Sequence, residues 1–142
     1  MNREIKFRAW DKKDNKMLYG IEDEDHGAGV VDIEGCEIAS YEKCFGDYLH
    51  NNRYEVMQFS GFHDKNGKEI FENDIIKIDD PEEDSTGFVL FDKGTWYLQW
   101  LYRDEDEPQI PVLSNLYEFH LDILDIPLLI VGNIYENPEL LK

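Results

Sequence analysis

A mainly β protein with one short helix is predicted by three observations. Short segments alternate apolar and polar residues with a period of two, as half-buried strands do. Turn-forming residues recur between them at roughly 8–12-residue intervals, the spacing of small barrels and sandwiches. The chain of 142 residues also carries 8 Phe, 8 Tyr and 3 Trp, and aromatics bury large areas and favour pleated surfaces. This length suits one domain or two small packed lobes. A lobe boundary is expected at Ser60-Gly61, giving an N-terminal β-rich lobe (1–60) with a helix near 41–51, and a C-terminal lobe (61–142).

Glu4 to Trp10 alternates strictly. Ile5, Phe7 and Ala9 share one face and Glu4, Lys6 and Arg8 the other, so a half-buried strand is expected. A turn-rich stretch, Asp11 to Lys16, leads into Met17-Leu18-Tyr19, which completes a hairpin. Val30 to Ile33 reads as another short strand. From Ser40 to Asn51, Tyr41, Cys44, Phe45, Tyr48 and Leu49 fall at helical spacing, with Ser40 as N-cap. Gly46 lies inside that pattern and costs about 1 kcal/mol relative to alanine.

Tyr54 to Phe59 is the next strand. Asn66-Gly67 predicts a type I′ hairpin turn, which needs positive φ at both central positions. Asp74 to Ile78 is a strand; Gly87 to Phe91 and Thr95 to Tyr102 form a hairpin about Asp92-Lys93-Gly94. Residues 114–124 admit a short helix capped by Ser114 or a strand over Leu121 to Leu124. Leu128 to Tyr135 is a strand with a bulge or bend at Gly132, and Glu139 to Leu141 form a terminal turn.

The charge excludes more than it selects. There are 32 acidic and 14 basic side chains, a net of −18. Thirteen of the acids lie in three runs, Glu22 to Asp25, Asp79 to Asp84 and Asp104 to Glu107. Like charges this dense are costly to bury, so solvated loops are expected. Groove and backbone binders of nucleic acid need clustered Lys and Arg. Here only residues 1–16 are basic, with Arg3, Lys6, Arg8, Lys12, Lys13 and Lys16 against three acids. Direct nucleic-acid binding is therefore disfavoured. Cation binding, a basic partner surface and mimicry of a nucleic-acid backbone are the functional alternatives for the acidic runs.

The apolar run around Ile126 to Gly132 is broken by Pro127 and is far short of the roughly 20 residues that span a bilayer. The N-terminus has no signal-peptide pattern. Cys36 and Cys44 form no disulfide framework, which fits a reduced cytoplasmic protein with no membrane association.

Three stretches carry a family resemblance. They are Ile5-Lys6-Phe7-Arg8-Ala9-Trp10-Asp11, the central run from Met57 through Gly61-Phe62-His63-Asp64-Lys65-Asn66-Gly67 to Ile76, and Ile130-Val131-Gly132-Asn133-Ile134-Tyr135-Glu136-Asn137-Pro138. Together they resemble the YopX family, small proteins of phages and prophages of low-GC Gram-positive bacteria. Asn73 stands where the family usually has glycine, and Ser60 where threonine is commoner. The resemblance implies a β-rich fold whose C-terminal part is an SH3-like barrel, and a bacterial host cytoplasm as the setting. It implies no activity, and a small barrel supplies none by analogy.

No catalytic constellation is legible. His26, His50, His63 and His120 lie far apart with no metal-ligand spacing, and His63 beside Asp64 lacks a nucleophile. There is no G-x-S-x-G elbow and no phosphate-binding glycine loop. Asp11-Lys12-Lys13-Asp14-Asn15 lacks the glycine of a calcium loop. No catalytic, cofactor or metal residue is therefore assigned. Trp10, Asp11, Gly67, Asp74, Gly132, Asn133, Tyr135 and Pro138 are expected to set turns and fill the core. The expected mode of action is contact with a protein partner or with a second copy in a homo-oligomer; an acidic DNA mimic and a small-molecule- or metal-dependent enzyme are the alternatives.

Overall fold

The computed structural model describes residues 4–23, 45–82, 85–101, 112–117 and 126–141. The chain divides into two compact units. One is Ile5–Gln58, and the other is Phe59–Lys142 with Met1–Glu4. As predicted, the described residues are mainly β, with one short α-helix. None of their helices is long and apolar enough to cross a membrane.

In the first unit, β1 (Phe7–Asp11) pairs antiparallel with both β2 (Lys16–Tyr19) and the first half of β3 (Tyr54–His63). The hairpin expected at the N-terminus is present. The expected solvent face is not: Arg8 is 3% exposed and Trp10 is buried, while Ile5 is 58% exposed. Burial of Arg8 and Trp10 shows that the second face of β1 is covered as well, which alternation alone does not reveal. The helix α1 (Phe45–Leu49) stacks Phe45 on Phe7 at 4.7 Å and Tyr48 edge-on to Tyr54 at 4.8 Å. Both are favoured aromatic geometries. Ala9, Ile21, Tyr48 and Tyr54 form the core of this unit. Leu49, assigned to the apolar face, is 53% exposed, at the last residue of α1. Residues 41–44, with Cys44, and the predicted strand Val30 to Ile33 lie outside the described residues.

The second unit holds β4 (Glu69–Phe71), β5 (Asp74–Ile78), β6 (Thr86–Asp92), β7 (Thr95–Leu101), β8 (Val112–Asn115) and β9 (Leu128–Asn133). Five of these form an antiparallel sheet in the order β8-β7-β6-β5-β9. The second half of β3 pairs with β4, stacking Phe59 on Phe71 at 5.6 Å. Ile70, Ile76, Val89, Leu98, Trp100, Leu116 and Leu128 make the core. Each fully buried aliphatic contributes about 1.5–3 kcal/mol of hydrophobic stabilisation. Gly87 sits opposite Trp100, and a Cβ there would lie 2.7 Å from the Gln99 carbonyl oxygen and 3.1 Å from the indole. That close approach explains a glycine inside a strand.

Three turn and strand expectations are corrected. At Asn66-Gly67 only Gly67 has positive φ (+80°), so the turn is not type I′. Asp64 and Lys68 close a three-residue loop, with the Gly67 N–H donating to the Asp64 carbonyl at 2.9 Å. This is the alternative hairpin in which a left-handed glycine ends the turn. The primed turn instead falls at Lys93 (φ +49°) and Gly94 (φ +81°) between β6 and β7. Ser114 caps no helix: it lies in β8 opposite Leu98, and its Oγ accepts the Trp100 Nε1–H at 2.8 Å. A buried indole needs an acceptor, and that need fixes the serine in the strand. The strand expected through Tyr135 stops at Asn133. The irregularity expected at Gly132 is present, for Ile75 faces Gly132 while Ile76 faces Ile130. Residues 118–125 lie outside the described residues.

Candidate functional site

Four turns concentrate the polar motif residues, and each is organised by a side chain that accepts backbone N–H groups. In the first unit Asp11 is 1% exposed. Its Oδ1 accepts the N–H groups of Lys13 (3.0 Å) and Asp14 (3.3 Å), which closes the β1–β2 turn. The same carboxylate takes a bidentate pair from Arg53, Nε to Oδ1 at 2.8 Å and Nη2 to Oδ2 at 2.7 Å. Arg53 Nη2 also reaches Asp14 at 3.1 Å, and the guanidinium lies 5.2 Å from the Tyr54 ring centroid. The Arg53 hydrogen bond, reinforced by the two backbone N–H groups, outweighs desolvation and holds Asp11 well below the usual carboxylate range. The Asp11 hydrogen bond likewise raises Arg53, against the cost of desolvating it. Both Asp11 oxygens are thus occupied by the chain itself. Lys12 pairs with Glu55 at 2.7 Å and donates to the Asn52 carbonyl at 2.8 Å. Lys13 on the turn and Lys16 at the start of β2 are exposed.

The second unit repeats the device of a buried carboxylate accepting backbone N–H groups. Buried Asp64 accepts the N–H groups of Asn66 and Lys68 on Oδ1, both at 2.9 Å, and that of Ile130 on Oδ2 at 3.2 Å. With the Lys65 N–H donated to the Leu128 carbonyl, it fastens the 64–68 turn to the outer edge of β9. Asp74 Oδ2 accepts the Phe71 N–H at 2.8 Å across a tight turn in which Asn73 takes φ +68°. Asparagine visits this left-handed region at modest cost, so it substitutes for glycine here. Asn133 Oδ1 accepts the N–H groups of Tyr135 and Glu136, while Asn137 Oδ1 accepts that of Asn133. Asn137 Oδ1 would lie 2.4 Å from a Cβ on Gly132, so any larger residue there must displace the Asn137 side chain. Tyr135 sits beside Asn73, whose Nδ2 is 3.5 Å from its hydroxyl.

Among the predicted turn and core residues, Trp10, Asp74 and Asn133 are buried, Tyr135 is half-buried, and Pro138 opens the terminal 3-10 turn. His50 and His63 are exposed, and His63 lies edge-on to Phe59 at 5.6 Å. His26, His120 and Cys36 lie outside the described residues. So do residues 24–25 and 83–84 and the whole run 104–107 of the acidic segments. Of the rest, Glu22 departs from the expected solvated loop: its Oε2 accepts the Phe7 N–H at 3.1 Å. Asp79 is exposed and forms an ion pair with Lys65. No group of three or more His, Cys, Asp or Glu able to hold a metal occurs among the described residues.

Two features had no sequence signal. Arg53 is the hub of the first unit, yet its partner stands 42 residues away in the chain. Phe91 is 44% exposed and stacks on Trp96 at 4.8 Å beside the primed turn of the β6–β7 hairpin. Binary patterning alone gives both rings as ordinary strand residues.

The comparisons agree with this architecture. The family described as "YopX protein" matches residues 6–142, nearly the whole chain. The protein belongs to the YopX family. It is also similar to protein EF1440 from Enterococcus faecalis, known from a crystal structure, at 28% identity and a TM-score of 0.59. That likeness covers 99% of this chain and 100% of the other. No curated protein matches.

Proposed function

We propose that this protein is a phage or prophage accessory protein that acts by protein–protein contact through the aromatic tip of the β6–β7 hairpin. One observation carries the reading. Phe91 keeps 44% of its surface in solvent although it stacks on Trp96. Exposed aromatics on a rigid element supply contact area at low entropic cost, as interface anchors do. The Lys93-Gly94 turn and the seven-residue register between β6 and β7 hold the pair in place. The second unit is, on this reading, an SH3-like barrel that presents one hairpin to its partner. The net charge of −18 sets which partners approach, through long-range attraction and repulsion.

The test is recovery of partners from the lysogenic host by tagged wild-type protein and by tagged Phe91→Ser. A protein, or a second copy, should be retained by wild type and lost with the variant. Light scattering of both proteins reads self-association. Equal recovery by the two, or no specific recovery by either, removes the reading.

A further inference from the structure

The 64–68 turn carries chemistry that its structural role does not use. Asn66 is followed by Gly67 on the protein surface, and both residues are exposed. An asparagine before glycine is open to attack by the next backbone nitrogen, because glycine places no side chain near that nitrogen. Here the nitrogen is engaged. The Gly67 N–H donates to the Asp64 carbonyl at 2.9 Å, and the Asn66 and Lys68 N–H groups both donate to Asp64 Oδ1 at 2.9 Å. The Asp64 N–H closes the loop on the Lys68 carbonyl at 2.8 Å. Reaction needs a deprotonated Gly67 nitrogen turned towards the Asn66 side chain. The native turn keeps that nitrogen protonated and points it at Asp64.

We propose that Asn66 is a conformation-gated deamidation site, closed while Asp64 holds the turn and reactive once the turn opens. In the step, the Gly67 nitrogen loses its proton and bonds to Asn66 Cγ. The Cγ–Nδ2 bond breaks, and Nδ2 leaves as ammonia with that proton. Water then opens the five-membered imide. Cleavage of the nitrogen–Cγ bond gives aspartate; cleavage of the nitrogen–main-chain carbonyl bond gives isoaspartate. One water enters, one ammonia leaves, and nothing is oxidised or reduced. Either product adds a negative charge beside Asp64. Isoaspartate also lengthens the main chain by one methylene inside the three-residue loop. That insertion breaks the Asp64–Lys68 closure and loosens the Asp64 contact with Ile130 on β9, so the modification marks chains whose turn has once opened.

The experiment incubates the full chain in mildly alkaline buffer, folded and in urea, and maps aspartyl and isoaspartyl products by peptide mass spectrometry. In urea, residue 66 should convert faster than any other asparagine, and Gly67→Ala should slow it. In the folded protein, conversion at 66 should be suppressed roughly tenfold or more, in proportion to turn opening. Asp64→Ala should bring the native rate close to the urea rate. If that variant does not fold, wild type alone decides: conversion at 66 must follow hydrogen exchange of the Gly67 amide as temperature is varied. Equal rates in folded and unfolded wild type, or an intact Asn66 in urea, overturn the proposal.

Discussion

The two units close their turns with the same device and support it differently. In both, a buried carboxylate accepts backbone N–H groups, Asp11 in the first and Asp64 and Asp74 in the second. Asp11 is also gripped by the Arg53 guanidinium. Among the described residues, four buried side chains make the core cluster of the first unit and seven that of the second, and the first adds a bidentate carboxylate–guanidinium pair. Ionic support should therefore appear as sensitivity to pH, and packing support as sensitivity to volume.

The largest expected effect is on packing. Leu98→Ala removes a fully buried side chain from the second core and should cost about 2–5 kcal/mol, measured by urea unfolding with Trp fluorescence. A loss below 1 kcal/mol, an order-of-magnitude bound from such series, would mean that this core is not the one that holds the unit. Gly132→Ala comes next, at about 1–3 kcal/mol, because its Cβ must displace Asn137. Asn137→Ala introduced alongside should recover part of that loss, a coupling that a double-mutant cycle reads directly.

The ionic arm is tested with Asp11→Asn, which keeps an acceptor for Lys13 and Asp14 and removes the charge facing Arg53. Asp11 is depressed in the folded state below its ordinary value of 3.8. Its contribution is therefore fully present above that value and is lost as pH falls below it towards the folded-state value. The stability gap between wild type and variant should be constant near neutrality and narrow as the solution is acidified past 3.8. A gap that is flat through that range would show that Arg53 contributes geometry and no charge. Arg53→Lys should lower the melting temperature nearly as much as Arg53→Ala, since a point charge cannot reproduce the bidentate fork.

The smallest effect tests a local strain. Lys93 occupies φ +49° at a primed turn that favours Asn before Gly. Lys93→Asn should stabilise the second unit by about 0.5–1 kcal/mol, read as a higher urea midpoint at unchanged slope.

Local pattern made most strands legible. Ile75, Ile76, Val89, Leu98 and Trp100 alternate or cluster as buried strands require, and Asp92-Lys93-Gly94 marks its hairpin without reference to anything distant. Short-range preference misled where two solutions compete. Asn66-Gly67 favours a primed turn in isolation, but the Asp64 side chain reaches Asn66, Lys68 and Ile130 and selects the bulged one. Arg8 reads as a solvent-facing strand residue, and its burial depends on what covers β1.

Strand identity, the positions of the turns and the family follow from the order of residues, because period, backbone preference and motif are properties of neighbouring positions. The pairing of Asp11 with Arg53 and the fastening of Asp64 to β9 were decided only when distant segments met. A hydrogen bond or a stacked ring is set by distances of a few ångströms in space, and separation along the chain does not encode them.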